Sequence, residues 1–172
     1  MAISQKLLLN FSRSYHPGLY KRPSDTLVLS SEQAPTAFLC HSHHDVELVK
    51  GLLVYFEKMS VKLYIDWLDE EMPESPNRIT AEKIQRKIKD AKLFFFLATE
   101  KSRASRWCPW EIGYADGNKK SIYIIPTENG EKTFGNEYLQ LYNHLAVSNT
   151  TGYYNPRILA GFDTNGNWIG YF

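Results

Sequence analysis

Four short apolar runs, Ala37 to Cys40, Val61 to Ile65, Lys92 to Ala98 and Ile122 to Ile125, punctuate a chain whose intervening stretches carry helical periodicity. Runs of this length read as buried strands. Between the first two, Val46, Val49, Leu52, Leu53 and Phe56 recur at the spacing of one helix face, and Ser42 with Asp45 three residues on has the form of a capping box. Ile84, Ile88 and Ala91 mark a second helix, preceded by a loop from Leu68 to Asn77 that contains Pro73 and Pro76. Ser105 is placed to cap a third helix running to about Asp116, with Gly117-Asn118 as its stop. Strands alternating with helices predict an α/β fold, a parallel sheet with crossover helices on both faces. After Pro126 the pattern weakens: Asn136 to Asn143 reads as helical, His144 to Val147 as a fifth strand, and the glycine- and aromatic-rich tail as turns with a hairpin around Asn165-Gly166.

A length of 172 residues with 43% hydrophobic residues is that of one domain with one core. Residues 1–35 hold Pro17, Gly18, Pro23 and Pro35, which break any long element, and read as an N-terminal extension. Residues 36–150 form the domain, and residues 151–172 a C-terminal extension packed on it. The formal charge of +1, from 20 basic and 19 acidic residues, argues for neither nucleic acid nor an anionic membrane as partner. The longest strongly apolar run, Leu93 to Ala98, is far short of the ~20 residues of a membrane-spanning helix. Leu7 to Leu9 is interrupted by Asn10 with no cleavage pattern after it, so a cytoplasmic location is expected. Both cysteines, Cys40 and Cys108, fall in segments that read as buried, which fits free thiols in a reducing compartment.

Ligands of an open parallel sheet bind beyond the carboxyl ends of its strands. The residues there are His41 to Asp45, Asp66 to Asp69 and Thr99 to Trp107, a mixture of hydroxyls, carboxylates and tryptophan that suits a sugar bearing a flat base. On the third helix Cys108, Ile112 and Ala115 form the stripe expected to face the sheet, with Trp107, Glu111 and Tyr114 beside it. Glu111 therefore lies at the margin of the core, placed to hold a raised pKa or to stabilise a cation. The plainer alternative is a helix glutamate paired with Lys119 or Lys120. Five carboxylates from Asp66 to Glu74 lack the spacing of a calcium loop and read as a solvated acidic loop. His41, His43 and His44 have no CxxC or HExxH partner pattern, so no metal site is expected. Ser42, His44 and Asp45 are too close in one turn to form a relay, and no glycine-rich phosphate loop occurs.

Three segments in order, Ala37 to Ser42, Val61 to Asp66 before the acidic proline-containing loop, and Ser102 to Glu111, resemble successive signatures of Toll/interleukin-1 receptor (TIR) domains. The resemblance runs from about Thr36 to Pro126 and more loosely to about residue 150. It implies a flavodoxin-like fold with a central five-stranded parallel sheet, and gives residues 67–77 the role of a mobile loop. In NAD-cleaving members the glutamate of W-x-x-x-E is catalytic, which here is Glu111 after Trp107. Ser102 and Ser105 match the family's site wall, and Ser42, Asp66 and Trp67 match less strictly as substrate-binding residues. NAD is then substrate, with no separate cofactor, and the product is an ADP-ribose, cyclic or linear. Self-association is implied because an adjacent subunit's loop completes the family's site. Stand-alone bacterial members of the antiphage (Thoeris-like) type pass a diffusible nucleotide to a separate effector. Two other readings stay open: a TIR scaffold that acts by homotypic contact without chemistry, and a nucleoside deoxyribosyltransferase-like enzyme with the glutamate as nucleophile.

Overall fold

A computed structural model of the chain describes residues 2–17, 36–56, 62–69, 77–147 and 159–171. The first part contains β1 (Ile3–Ser4), α1 (Gln5–Ser12), β2 (Thr36–Cys40), α2 (Val46–Phe56) and β3 (Lys62–Tyr64). Next come α3 (Arg78–Asp90), β4 (Leu93–Leu97), α4 (Glu100–Ala104), α5 (Trp107–Gly117) and β5 (Ser121–Ile125). The remainder holds β6 (Thr127–Asn129), β7 (Lys132–Phe134), β8 (Asn143–Val147), β9 (Leu159–Phe162) and β10 (Trp168–Tyr171).

The five expected parallel strands are present, in the spatial order β3-β2-β4-β5-β8. That is the 2-1-3-4-5 order of flavodoxin-like sheets. Two antiparallel strands, β9 and β10, extend the sheet to seven, joined by the expected hairpin with Gly166 at φ +81 in its turn. A second, three-stranded sheet of β1, β6 and β7 lies outside the expectation.

Strand alternation sends successive side chains to opposite faces, and both faces are covered. Ala37, Leu39, Phe95 and Leu97 join Val49, Leu52, Leu53 and Phe56 of α2 in one cluster. Phe38, Cys40, Phe94 and Phe96 join Ile84 and Ile88 of α3 and Cys108, Ile112 and Ala115 of α5 in the other. Full coverage is why these strands read as unbroken apolar runs. No helix among the described residues is long and apolar enough to cross a membrane.

Two local outcomes differ from the sequence reading. The segment expected to be helical from Asn136 makes only a 3-10 turn, Asn136–Tyr138, before the chain enters β8. It starts from Gly135, at φ +95, where an added Cβ would stand 2.7 Å from the Ala98 Cβ. The turn is thus pressed onto the core, with Tyr138 edge-on to Phe96 at 5.2 Å, and a full helix has no room before Asn143. The first 17 residues include a helix that proline content concealed. Helix α1 docks Leu8, fully buried, against α2.

That docking depends on Gly51, since a Cβ there would lie 1.8 Å from the Leu8 carbonyl oxygen, a backbone atom with nowhere to go. Gly51→Ala should force α1 off α2 at the cost of an overpacked core, about 1–3 kcal/mol. The expected readout is a melting temperature lower by about 2–12 °C for a chain of this size, with faster proteolysis near the N-terminus. An unchanged melting temperature and digestion pattern would show that α1 does not depend on this contact.

Candidate active site

Strands β2 and β4 are neighbours in register, Cys40 opposite Phe96, so the loops that follow them leave the sheet side by side. Ser42 accepts a hydrogen bond from the His44 N–H at 3.3 Å and starts the turn into α2. Asp45 does not complete the expected capping box. Its carboxylate instead accepts the Thr99 hydroxyl at 2.5 Å and lies 3.8 Å from the Lys101 ammonium. Thr99 in turn forms a reciprocal capping box with Ser102 at the start of α4, with bonds of 2.9 and 2.8 Å. Lys101 donates to the His44 carbonyl at 2.6 Å, so the two loops are fastened to each other twice. Burial raises the Asp45 pKa, while the Thr99 hydroxyl and the Lys101 charge act in the opposite direction.

Ser105 accepts from the N–H groups of Trp107 and Cys108 at 3.1 and 3.3 Å, the cap expected for α5. That helix buries Cys108, Ile112 and Ala115 as the spacing predicts, and it buries Glu111 as well, to 5% exposure. The carboxyl is therefore deeper than a position at the core margin. It meets the Cys40 thiol at the end of β2, and that thiol also lies 3.9 Å from the Cys108 carbonyl. Burial, above all, holds the Glu111 pKa well above the usual carboxylate range; Cys108 and the Asp66 carboxylate add to the effect and the Cys40 hydrogen bond opposes it. Among the described residues neither Lys119 nor Lys120 pairs with it, and Lys120 donates to the carbonyls of Lys89 and Ala91 instead. Cys40 and Cys108 are both free thiols, and burial pushes Cys40 well above the normal thiol range.

The register of β2 with β3, Phe38 opposite Tyr64, places Asp66 level with Cys40. Asp66 is buried and shares its face of the sheet with Tyr64, toward α5. One of its oxygens accepts the Trp67 N–H at 2.8 Å and lies 3.5 Å from His41 Nε2; the other lies 3.3 Å from His43 Nε2. His41 Nδ1 stands 3.0 Å from the Leu39 carbonyl, which only accepts, so its proton is assigned there. Of the acidic loop read as solvated, Asp66 and Asp69 are in fact buried, Asp69 accepting the Tyr64 hydroxyl at 2.8 Å. Glu70, Glu71 and Glu74 lie outside the described residues, as does most of the expected mobile loop.

A cleft of about 450 Å³ opens between these loops, lined by Ser42, His43, His44, Lys101, Ala104, Ser105, Arg106 and Trp107. Three of the residues singled out from sequence, Ser42, Ser105 and Trp107, meet in it. Asp66 reaches it through His43. Ser102, 1% exposed, supports the wall from behind. Trp67 packs with the cluster on the α2 side of the sheet, away from the cleft. The basic residues at the mouth, Lys101, Arg106 and His43, are not among the site residues expected from sequence. Their signal was present in the segment from Thr99 to Trp107, which carries three basic residues and one acid.

Residues 37–148 match the family model described as TIR domain. Over 114 residues the chain is 35% identical to "Probable 3' cyclic ADP-D-ribose synthase ThsB'" of Bacillus cereus (strain MSX-D12), covering 63% of this chain and 59% of that protein. Over 91 residues it is 26% identical to "Putative cyclic ADP-D-ribose synthase TIR2" of Cytobacillus dafuensis, covering 51% of this chain and 24% of that protein. The chain thus spans under two thirds of the length of either relative. The family match takes in the whole parallel sheet, the cleft and Glu111, and on that ground the chain belongs to the TIR domain family.

Proposed function

We propose that this chain cleaves the bond between nicotinamide and ribose in NAD, with Glu111 as the carboxylate that stabilises the sugar cation, and releases an ADP-ribose product as a signal in bacterial antiphage defence. The observation that carries the reading is the buried Glu111 carboxyl beside Cys40, one helical turn from Trp107 in the cleft wall. The names of the two relatives, cyclic ADP-D-ribose synthases, support the same chemistry.

Nicotinamide leaves as a neutral molecule, taking the bonding electron pair onto its ring nitrogen, so no acid is needed to assist it. What develops is positive charge on the ribose, and a carboxylate in a water-poor site stabilises that charge far more than one in water. Burial favours the protonated form of Glu111, and a cationic nicotinamide ring placed beside it favours the ionised form. Trp107 offers a stacking face, Ser42 and Ser105 offer hydroxyls to ribose, and Lys101 with Arg106 suits the diphosphate. The name of the first relative, a 3' cyclic ADP-D-ribose synthase, supports cyclisation of the product in the same site. The protein acts in the cytoplasm, associates with copies of itself to complete the site, and reaches a separate effector through the diffusible product.

Incubating wild type, Glu111→Ala and Glu111→Gln with NAD at several protein concentrations, with chromatography and mass detection, tests this. Wild type should release nicotinamide, with specific activity rising with concentration, and both variants should fall by about 100-fold or more. No release by wild type at any concentration would leave the family's non-catalytic scaffold role.

The buried carboxyl also has a stability signature. Its folded pKa lies above the unfolded value, so folding takes up a proton. This costs nothing below the unfolded pKa and grows as pH rises toward the folded one, by up to about 1.4 kcal/mol per pH unit. Glu111→Gln should therefore melt higher than wild type at neutral pH, by about 2–4 °C for each kcal/mol, and the advantage should vanish near pH 4. A difference that is independent of pH would mean that Glu111 is ionised in the fold.

A further inference from the structure

His43 is placed differently from every other group in the cleft. It is exposed, 62% for the side chain, yet its Nε2 lies 3.3 Å from a carboxylate oxygen of Asp66, itself buried and held by the Trp67 N–H. A carboxylate accepts only, so the imidazole proton belongs on Nε2 and the lone pair on Nδ1 is left for the cleft that His43 lines. A carboxylate that fixes the tautomer and steadies the imidazolium is how histidine is prepared to take a proton from a hydroxyl. Among the other cleft groups, His44 is also an imidazole, but its ring makes no ion pair with a carboxylate among the described residues that would orient it. Lys101 is committed to the His44 carbonyl and the Asp45 carboxylate, guanidinium does not accept protons, and Ser42 and Ser105 are hydroxyls. Glu111 is buried against Cys40 and does not line the cleft.

The proposed chemistry leaves a task for such a group. Departure of nicotinamide needs no proton, but the attacking nucleophile, water or a ribose hydroxyl, must lose one. We propose that His43, oriented by Asp66, is the catalytic base that accepts the proton of the hydroxyl attacking the anomeric carbon. This rests on the NAD-cleaving reading above. The new bond joins the hydroxyl oxygen to the anomeric carbon, the carbon–nitrogen bond to nicotinamide breaks with its electron pair going to the ring, and the proton passes to Nδ1. The resulting imidazolium is paired with Asp66, and its exposure lets it return the proton to water. Asp66 is a positioning residue in this scheme, and Glu111 and His43 divide the reaction between bond breaking and bond making.

A nucleophile without a proton separates the two roles. With 3-acetylpyridine added to NAD, attack by the pyridine nitrogen regenerates a dinucleotide and needs no base, whereas cyclisation and hydrolysis do. For wild type, His43→Ala and Asp66→Asn, the quantity to measure is the ratio of cyclised plus hydrolysed product to exchanged dinucleotide. The ratio should fall by about 100-fold in His43→Ala, recover in part with added imidazole, and fall less in Asp66→Asn. His43→Gln, which keeps a polar side chain but takes up no proton, should behave like His43→Ala. An unchanged ratio in His43→Ala, whether both reactions fall together or neither does, overturns the role. Wild type that yields neither product nor exchange removes the NAD-cleaving reading itself, and the role of His43 with it.

Discussion

The buried hydrogen bond from the Thr99 hydroxyl to the Asp45 carboxylate, 2.5 Å long, fastens the loop after β2 to the turn after β4. A bond to a charged acceptor of this kind contributes about 1.5–3 kcal/mol. Its larger role is geometric. Ser42 and His43 stand on one of the two joined segments, and Lys101, Ser105 and Trp107 follow from the other, so the cleft has the width this bond gives it. Burial works against the Asp45 charge, and the Thr99 hydroxyl and the Lys101 ammonium are what offset it. The pair is therefore interdependent: neither loop has a satisfied interior without the other.

Covering both faces of the sheet leaves its carboxyl edge as the place where polar groups gather. Three of them gather there in graded exposure, Asp66 and His43 beyond the ends of β3 and β2 and Glu111 on α5 against the end of β2. Glu111 is enclosed beside Cys40, Asp66 is buried but partnered, and His43 reaches solvent. On the proposed reading, the burial of Glu111, a cost in a purely structural residue, prepares it for a cation.

Much of the sheet was legible because its strands are enclosed. Phe94 to Phe96 reads as one apolar run only because alternate side chains meet helices on opposite faces. Ser105 was legible as a cap, since capping is a matter of a few residues, and the W-x-x-x-E pattern gave Trp107 and Glu111 together. What was hidden required distant partners. Asp45 had a plausible local partner in Ser42, and its actual one is 54 residues away. Helix α1 rests on the missing side chain of Gly51, which no periodicity records. Trp67 lies in the 3-10 turn Asp66–Leu68 after β3 and packs toward the cluster holding Leu63 and Ile65, a turn that no periodicity records. The depth of Glu111 was underestimated because helical spacing fixes its direction but not what the end of β2 brings over it.

Whether Glu111 is the carboxylate at the reacting sugar is decided by a crystal structure with a carbocyclic NAD analogue that cannot be cleaved. The ring that replaces the nicotinamide ribose should lie within hydrogen-bonding reach of the Glu111 carboxylate, with Trp107 against a planar group and His43 facing the anomeric position. An analogue bound with that ring remote from Glu111 would overturn the assignment.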